Sequence, residues 1–329
     1  MDRRAFIGAM AGGLLAAPLA AEAQQAGKVW RIGLLMEGPN KNLHPESAAN
    51  RFVDGLRDLG YVEGQNLVIE YRYADNRPER IPEFAAELVR LKVDVIVTVG
   101  TRETVTAKAA TSTIPIVMLF PGDPVGVGLV SSLTHPGANI TGTSMMFPDV
   151  SGKRVELLRE IMPKLQRVAI LWNPRNAAAA AEMRATATAA RSLGLTVYPI
   201  GVDSVSRLDA ALADMARGRP DGVFVMEDAL MISHRREIAA AALRAHLASV
   251  FPRSAYVEDG GLVGYGPDFR AIAIRAASYV DRILKGAKPG DLPIEQPTKF
   301  ELIINLKTAK VLGLTISQSL LQRADQVIE

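Results

Sequence analysis

VDVIVTVGTRETVTAKAATSTIPIVMLF, residues 93–120, is the stretch on which the fold turns. Val93–Val99 is a short apolar run stopped by Gly100, which is how a strand buried on both faces reads. Thr101–Ala110 follows with a helical pattern, and Pro115–Phe120 is a second apolar strand. Strand, helix and strand in alternation build a parallel sheet covered by helices on both faces.

The same alternation extends outward. Upstream, Val29–Met36 and Asn66–Tyr73 read as strands, the second with apolar Leu67, Ile69, Tyr71 and Tyr73 at every other position. Ala48–Leu59 sets Phe52, Val53, Leu56 and Leu59 on one helical stripe ended by Gly60, and Pro82–Leu91 is a helix with proline at its start. Downstream, Thr134–Thr143 is rich in Gly, Pro and Thr and reads as a crossing. A second unit then begins. Its helices are predicted at Gly152–Ile161, Ala177–Leu193, Ser206–Arg217 and Ser233–Leu247, and its strands at Arg167–Trp172, Thr196–Ile200 and Gly222–Met226. Two α/β units fit 329 residues at ~150 per domain.

Composition narrows the function. Lys+Arg 38 against Asp+Glu 35 leaves +3, too little excess for a polyanion partner, so no nucleic acid is expected. Zero cysteine removes disulfides, thiolate metal sites and a cysteine nucleophile. Met1–Ala23 reads as an export signal: Arg3 and Arg4, an uncharged Ala5–Ala20, then Ala21-Glu22-Ala23 as the cleavage site. The paired arginines leave the twin-arginine and general secretory routes both open. Cleavage near Ala23 predicts a periplasmic protein.

Searches for catalytic chemistry return nothing. Gly152-Lys153-Arg154 lacks the glycine and the Ser/Thr of a phosphate loop; Gly122, Gly126 and Gly128 lack dinucleotide spacing; Gly142-Thr143-Ser144-Met145-Met146 is no nucleophile elbow. His44, His135, His234 and His246 form no helical metal pair. No enzyme, no cofactor and no metal are therefore expected. Polar residues instead collect at strand C-terminal ends, where open parallel sheets bind ligands: Met36-Glu37-Gly38, Gly100-Thr101, Gly122-Asp123-Pro124, Asn173 and Glu227-Asp228. Asp123 and Asp228 suit an ammonium, and helix N-termini a carboxylate. Each of these residues is equally a helix cap or turn former.

RIGLL (31–35), DGLRDLGYVEGQNLVIEYRYA (54–74), VDVIVTVGT (93–101), TIPIVMLFPGDPVGVGLVSSLTHPGANITGTS (113–144), YVEDGGLVGYGP (256–267) and YVDRILKGAKPGDLPIEQPTKFELIINLKTAKVLGLTI (279–316) resemble the extracytoplasmic solute-binding proteins of ABC importers, in the TrpX-like branch. The resemblance implies a type I periplasmic-binding-protein fold: two Rossmann-like lobes with parallel sheets, joined by a three-segment hinge. Residues 28–143 plus 257–286 would form the N-terminal lobe and 147–252 plus 295–329 the C-terminal lobe, with crossings near 142–147, 251–258 and 285–298. It implies ligand contacts at Gly100, Thr101, Asp123 and Ser144 on the first side of the cleft, and at Asn173, Asp228 and Tyr256 on the second. At Glu227-Asp228-Ala229 the chain departs from the Thr-Asp-Asn-like triplet of that branch, and Pro45-Glu46-Ser47 lacks its Leu-Asp. The expected activity is reversible capture of a small solute, amino-acid-like or an aromatic carboxylic compound, by a monomer that delivers it to an ABC permease in the cytoplasmic membrane. A sensor feeding a membrane receptor and an exported enzyme on the same fold are the alternatives.

Overall fold

The computed structural model describes residues 28–39, 47–145 and 147–329. The export signal and Pro45-Glu46 lie outside the described residues.

The first sheet contains β1 (Trp30–Met36), β2 (Leu67–Tyr73), β3 (Val95–Val99), β4 (Ile116–Leu119) and β5 (Ile140–Gly142) in the order β2-β1-β3-β4-β5, all parallel. The run Val95-Ile96-Val97 shows why it is a strand. Val95 and Val97 enter the core on one face, with Phe52 and Leu56 of helix α1 (Ala48–Asp58), while Ile96 enters the core on the other, with Phe84 and Leu88 of α2 (Ile81–Arg90). Only a strand buried on both faces needs apolar residues at consecutive positions. The helix α3 (Thr101–Ala110) connects β3 to β4. Ile140–Gly142, placed by its composition in a crossing, is instead the edge strand of this sheet: three buried residues are too short to show a period.

The second sheet has seven strands. β6 (Arg167–Trp172), β7 (Thr196–Gly201), β8 (Gly222–Val225), β9 (Ala248–Phe251) and β10 (Val263–Pro267) are followed by β11 (Phe300–Asn305) and β12 (Gln326–Ile328), in the order β12-β11-β10-β9-β8-β6-β7. Only the β10–β11 pair is antiparallel. Its helices are α4 (Phe147–Ile161), α5 (Ala179–Ser192), α6 (Leu208–Arg217), the short α7 (Ala229–Ser233), α8 (Arg235–Arg244) and the short α9 (Ser254–Glu258). The single helix expected at Ser233–Leu247 thus begins earlier, as α7, and is interrupted at His234.

One boundary needs correction. Residues 257–267 were expected in the first lobe, after a crossing at 251–258. They belong to the second sheet: all five residues of β10 pair with β11, and Val263 and Gly264 also pair with β9. Ser254–Glu258 is a helical turn, not a crossing strand. The chain leaves only after Pro267, entering α10 (Phe269–Leu284), which packs on α1 of the first lobe. Gly55 permits that packing, since a Cβ there would stand 2.8 Å from the backbone oxygen of Ile274. After α10 the chain runs beside the end of β5, exchanging Ser144 N–H→Glu295 O (2.9 Å) and Glu295 N–H→Gly142 O (3.1 Å), and then enters β11. The remaining helices, α11 (Leu306–Val311) and α12 (Gln318–Arg323), cover the second sheet. Among the described residues, no helix is long and apolar enough to cross a membrane.

Candidate ligand-binding cleft

The C-terminal ends of β1, β3 and β4 face the loops after β6, β8 and β9 across a cleft of about 570 Å³, within the ~300–1,000 Å³ range of small-molecule sites. Glu37, Gly100–Glu103 and Phe120 line the first side; Asn176, Glu227, Asp228, Arg253 and Ser254 line the second; Phe147 and Gly266–Phe269 close the hinge end. The two sides touch at the rim, where Arg102 Nη2 donates to Arg175 O (3.2 Å) and Ser233 Oγ to Asn76 Oδ1 (3.2 Å).

The wall near the hinge is aromatic. Phe120 and Phe269 sit with ring centroids 5.2 Å apart, and the Arg253 guanidinium lies 3.6 Å from the Phe269 centroid. Phe120 has φ +60°, a left-handed conformation that costs a bulky residue on the order of 1–3 kcal/mol. That cost is offset by placing the ring in the cleft and in the first-lobe core. Arg253 is held by Glu227, which accepts its Nε at 2.8 and 2.9 Å and also its Nη2. A planar cation bound edge-on to a carboxylate keeps its face free for a ring.

The floor is acidic and buried. Glu103 is 2% exposed and Glu37 6%. Glu37 N–H donates to Glu103 Oε1 (2.7 Å), and Arg102 Nε lies 3.1 Å from Glu37 Oε2. Burial, then the facing charge of Asp228, pushes the Glu37 carboxyl up to about 7; burial, then Glu37, pushes Glu103 up to about 8. Below the hinge end lies a second buried pair, Arg154 Nη1 to Glu182 Oε1 at 3.3 Å. Burial raises the Glu182 carboxyl to about 7 despite Arg154. Among the described residues, no group of three His, Cys, Asp or Glu is disposed to hold a metal.

Of the residues expected as ligand contacts, Gly100, Thr101 and Asp228 line the cleft, and so do Glu37, Gly122 and Glu227 among the other strand-end residues singled out by sequence. Gly100 adopts φ +120°, and Thr101 Oγ1 accepts Gly122 N–H (3.2 Å), tying the α3 start to the loop after β4. Asp228 is the N-cap of α7, accepting Leu230 N–H at 3.0 Å and both Asn173 and Asn176 side-chain amides at 3.0–3.2 Å. Asn173 is therefore a buried support behind the wall. Asp123 is not among the lining residues: it turns to accept Gly126 N–H (2.8 Å) within its own loop. Ser144 and Tyr256 are fully buried away from the lining. On the one-turn helix α9, Ser254, Ala255 and Glu258 face the cleft, so Tyr256 and Val257 face the core, with Tyr256 stacked 4.8 Å from Phe251. Sequence reasoning missed Arg102, Glu103, Phe120, Arg253 and Phe269 as site residues. Glu37 was marked by its place at the C-terminal end of a buried strand but was not among the expected ligand contacts.

Two lobes with largely parallel sheets, crossed three times by the chain and enclosing a polar–aromatic cleft, have the type I periplasmic-binding-protein fold. The model of the ABC transporter substrate binding protein family matches residues 44–328, and the chain belongs to that family. It is 28% identical over 283 residues to the tyrosine-binding protein of Clostridioides difficile (strain R20291), covering 86% of this chain and 80% of that one. An ABC domain from Streptococcus pneumonia in complex with L-Trp superposes with a TM-score of 0.84 at 26% identity, covering 91% of this chain and 99% of the other. A conserved domain protein from Vibrio cholerae reaches 0.85 at 30% identity, covering 91% and 100%.

Proposed function

We propose that the protein captures an aromatic amino acid outside the cytoplasmic membrane and hands it, unchanged, to an ABC permease. The observation that supports this most is the cleft itself: an aromatic wall of Phe120, Phe269 and Phe147 beside a buried floor of opposed charges. Relatives that bind tyrosine and L-Trp point to the same ligand class. Burying an aromatic side chain of ~150–250 Å² contributes about 4–6 kcal/mol before binding entropy is subtracted. Charge-assisted hydrogen bonds to the ammonium and carboxylate at ~1.5–3 kcal/mol each bring a micromolar constant, about −8 kcal/mol, within reach. Closure follows because half the contacts come from each lobe, so ligand favours the closed form.

The test is a thermal-shift screen of the full chain against the twenty amino acids, aromatic acids, nucleosides and sugars. Tyrosine or tryptophan should raise Tm with ligand concentration, as binding to the native state requires. A shift by sugars or nucleosides alone, or steady loss of ligand mass in the mixture, would overturn the proposal.

A further inference from the structure

An amino acid's ammonium needs a carboxylate with acceptor capacity to spare. At the cleft floor most carboxylates are already filled. Asp228 accepts on both oxygens from Asn173, from Asn176 and from Leu230 N–H, which uses its four acceptor positions. Glu227 is clasped by Arg253 and Glu182 by Arg154 and Ser151, while Glu103, which accepts the Glu37 N–H on one oxygen, is only 2% exposed and less accessible than Glu37. Glu37 differs. It lines the cleft at 6% exposure, only its Oε2 is near a cation, and no described residue donates a hydrogen bond to its Oε1.

The charges around it are also unbalanced. Arg102 and Glu103 on α3, Arg175 after β6 and Asp228 before α7 face it, with exposed Glu79 at the rim. Without Glu79, three carboxylates stand against two guanidiniums. Burying a net negative charge is costly, and either a proton or a cation relieves it.

We infer that Glu37, rather than Asp228, is the seat of the ligand's ammonium group, and that the ligand expels a proton from the Glu37–Glu103 pair as it binds. The inference rests on the amino-acid reading above. The ammonium keeps its own protons, and the one held by the carboxyl pair leaves to buffer. The raised carboxyls, about 7 and about 8, mean the empty cleft carries that proton at neutral pH. Affinity therefore rises with pH between 6 and 8, by up to about tenfold per unit for each proton released. Asp228 is a positioning residue that fixes α7 and the two asparagines.

The experiment is calorimetry at pH 7 with L-tyrosine and L-tryptophan, in buffers of different ionisation enthalpy, on wild type, Glu37→Gln and Asp228→Asn. Wild type should release roughly half a proton or more per ligand. Glu37→Gln should bind at least tenfold more weakly and release none, while Asp228→Asn, which removes one of the charges that raise Glu37, should release less than wild type but not lose the release. No release from wild type, wild-type binding by Glu37→Gln, or loss of release in Asp228→Asn alone would overturn the inference. Absence of binding by both probes would instead refute the ligand reading. The ligand-free melting temperature from pH 5 to pH 8 then decides the proton: wild type should fall more steeply than Glu37→Gln, and parallel curves would overturn it.

Discussion

Replacing Arg154 with Met keeps an unbranched apolar stem, shortens the side chain and removes its charge. Arg154 is fully buried on α4, just past the first crossing. Its Nε donates to Tyr265 O (2.7 Å) on β10, shortly before the chain crosses back, and its Nη1 donates to Glu182 Oε1. The substitution leaves the Tyr265 carbonyl without this donor and Glu182 with only the Ser151 hydroxyl at 3.3 Å. Removing one partner of a buried pair costs about 3–5 kcal/mol. With an m-value of ~2 kcal/mol/M in urea, the midpoint should fall by roughly 1.5–2.5 M. The two tryptophans lie one per lobe, Trp30 on β1 and Trp172 on β6. Single-tryptophan variants (Trp30→Phe and Trp172→Phe) therefore report each lobe separately. The loss should appear in the Trp172 transition. It should also depend on pH. Without its cation, the Glu182 carboxyl rises further above 7. A raised folded-state carboxyl contributes stability at low pH that is lost as pH climbs through its folded value. The penalty is thus larger at pH 8 than at pH 6, and adding Glu182→Gln should recover part of it at pH 8. A loss below ~1 kcal/mol, or one equal at both pH values, would refute the reasoning.

Further perturbations test other contacts. Gly55→Ala should destabilise the Trp30 transition by about 1–3 kcal/mol, because the new Cβ meets the Ile274 carbonyl rather than a yielding side chain. Thr101→Val removes the acceptor of the buried Gly122 N–H and should cost about 1–3 kcal/mol in urea melts. Ligand-free stability should fall as pH rises from about 4.5 towards 8, and Glu103→Gln should flatten that slope by about 1.4 kcal/mol per pH unit.

The fold was legible where burial leaves a local mark. VIVTV at 95–99 and RVAILW at 167–172 are apolar at successive positions because both faces of their sheets are covered. Sheet membership leaves no such mark. Nothing in VGYGP at 263–267 says which sheet it joins; its partners in β11 are 33 to 41 residues away. The site was legible in position but not in identity. Strand ends marked Glu37, Gly100, Thr101, Glu227 and Asp228, yet the electrostatics of the cleft depend on pairings between distant residues, such as Glu227 with Arg253, that leave no local mark. Asp123 and Asp228 look alike in sequence; one closes its own turn and the other caps a helix at the cleft wall.

The central claim is that a single amino acid is held between the lobes, and a crystal structure grown with L-tyrosine or L-tryptophan tests it most directly. The account predicts ligand density between Phe120, Phe269 and Glu37, with contacts from both lobes. Saturating ligand found on one lobe only, or outside the cleft, would contradict it.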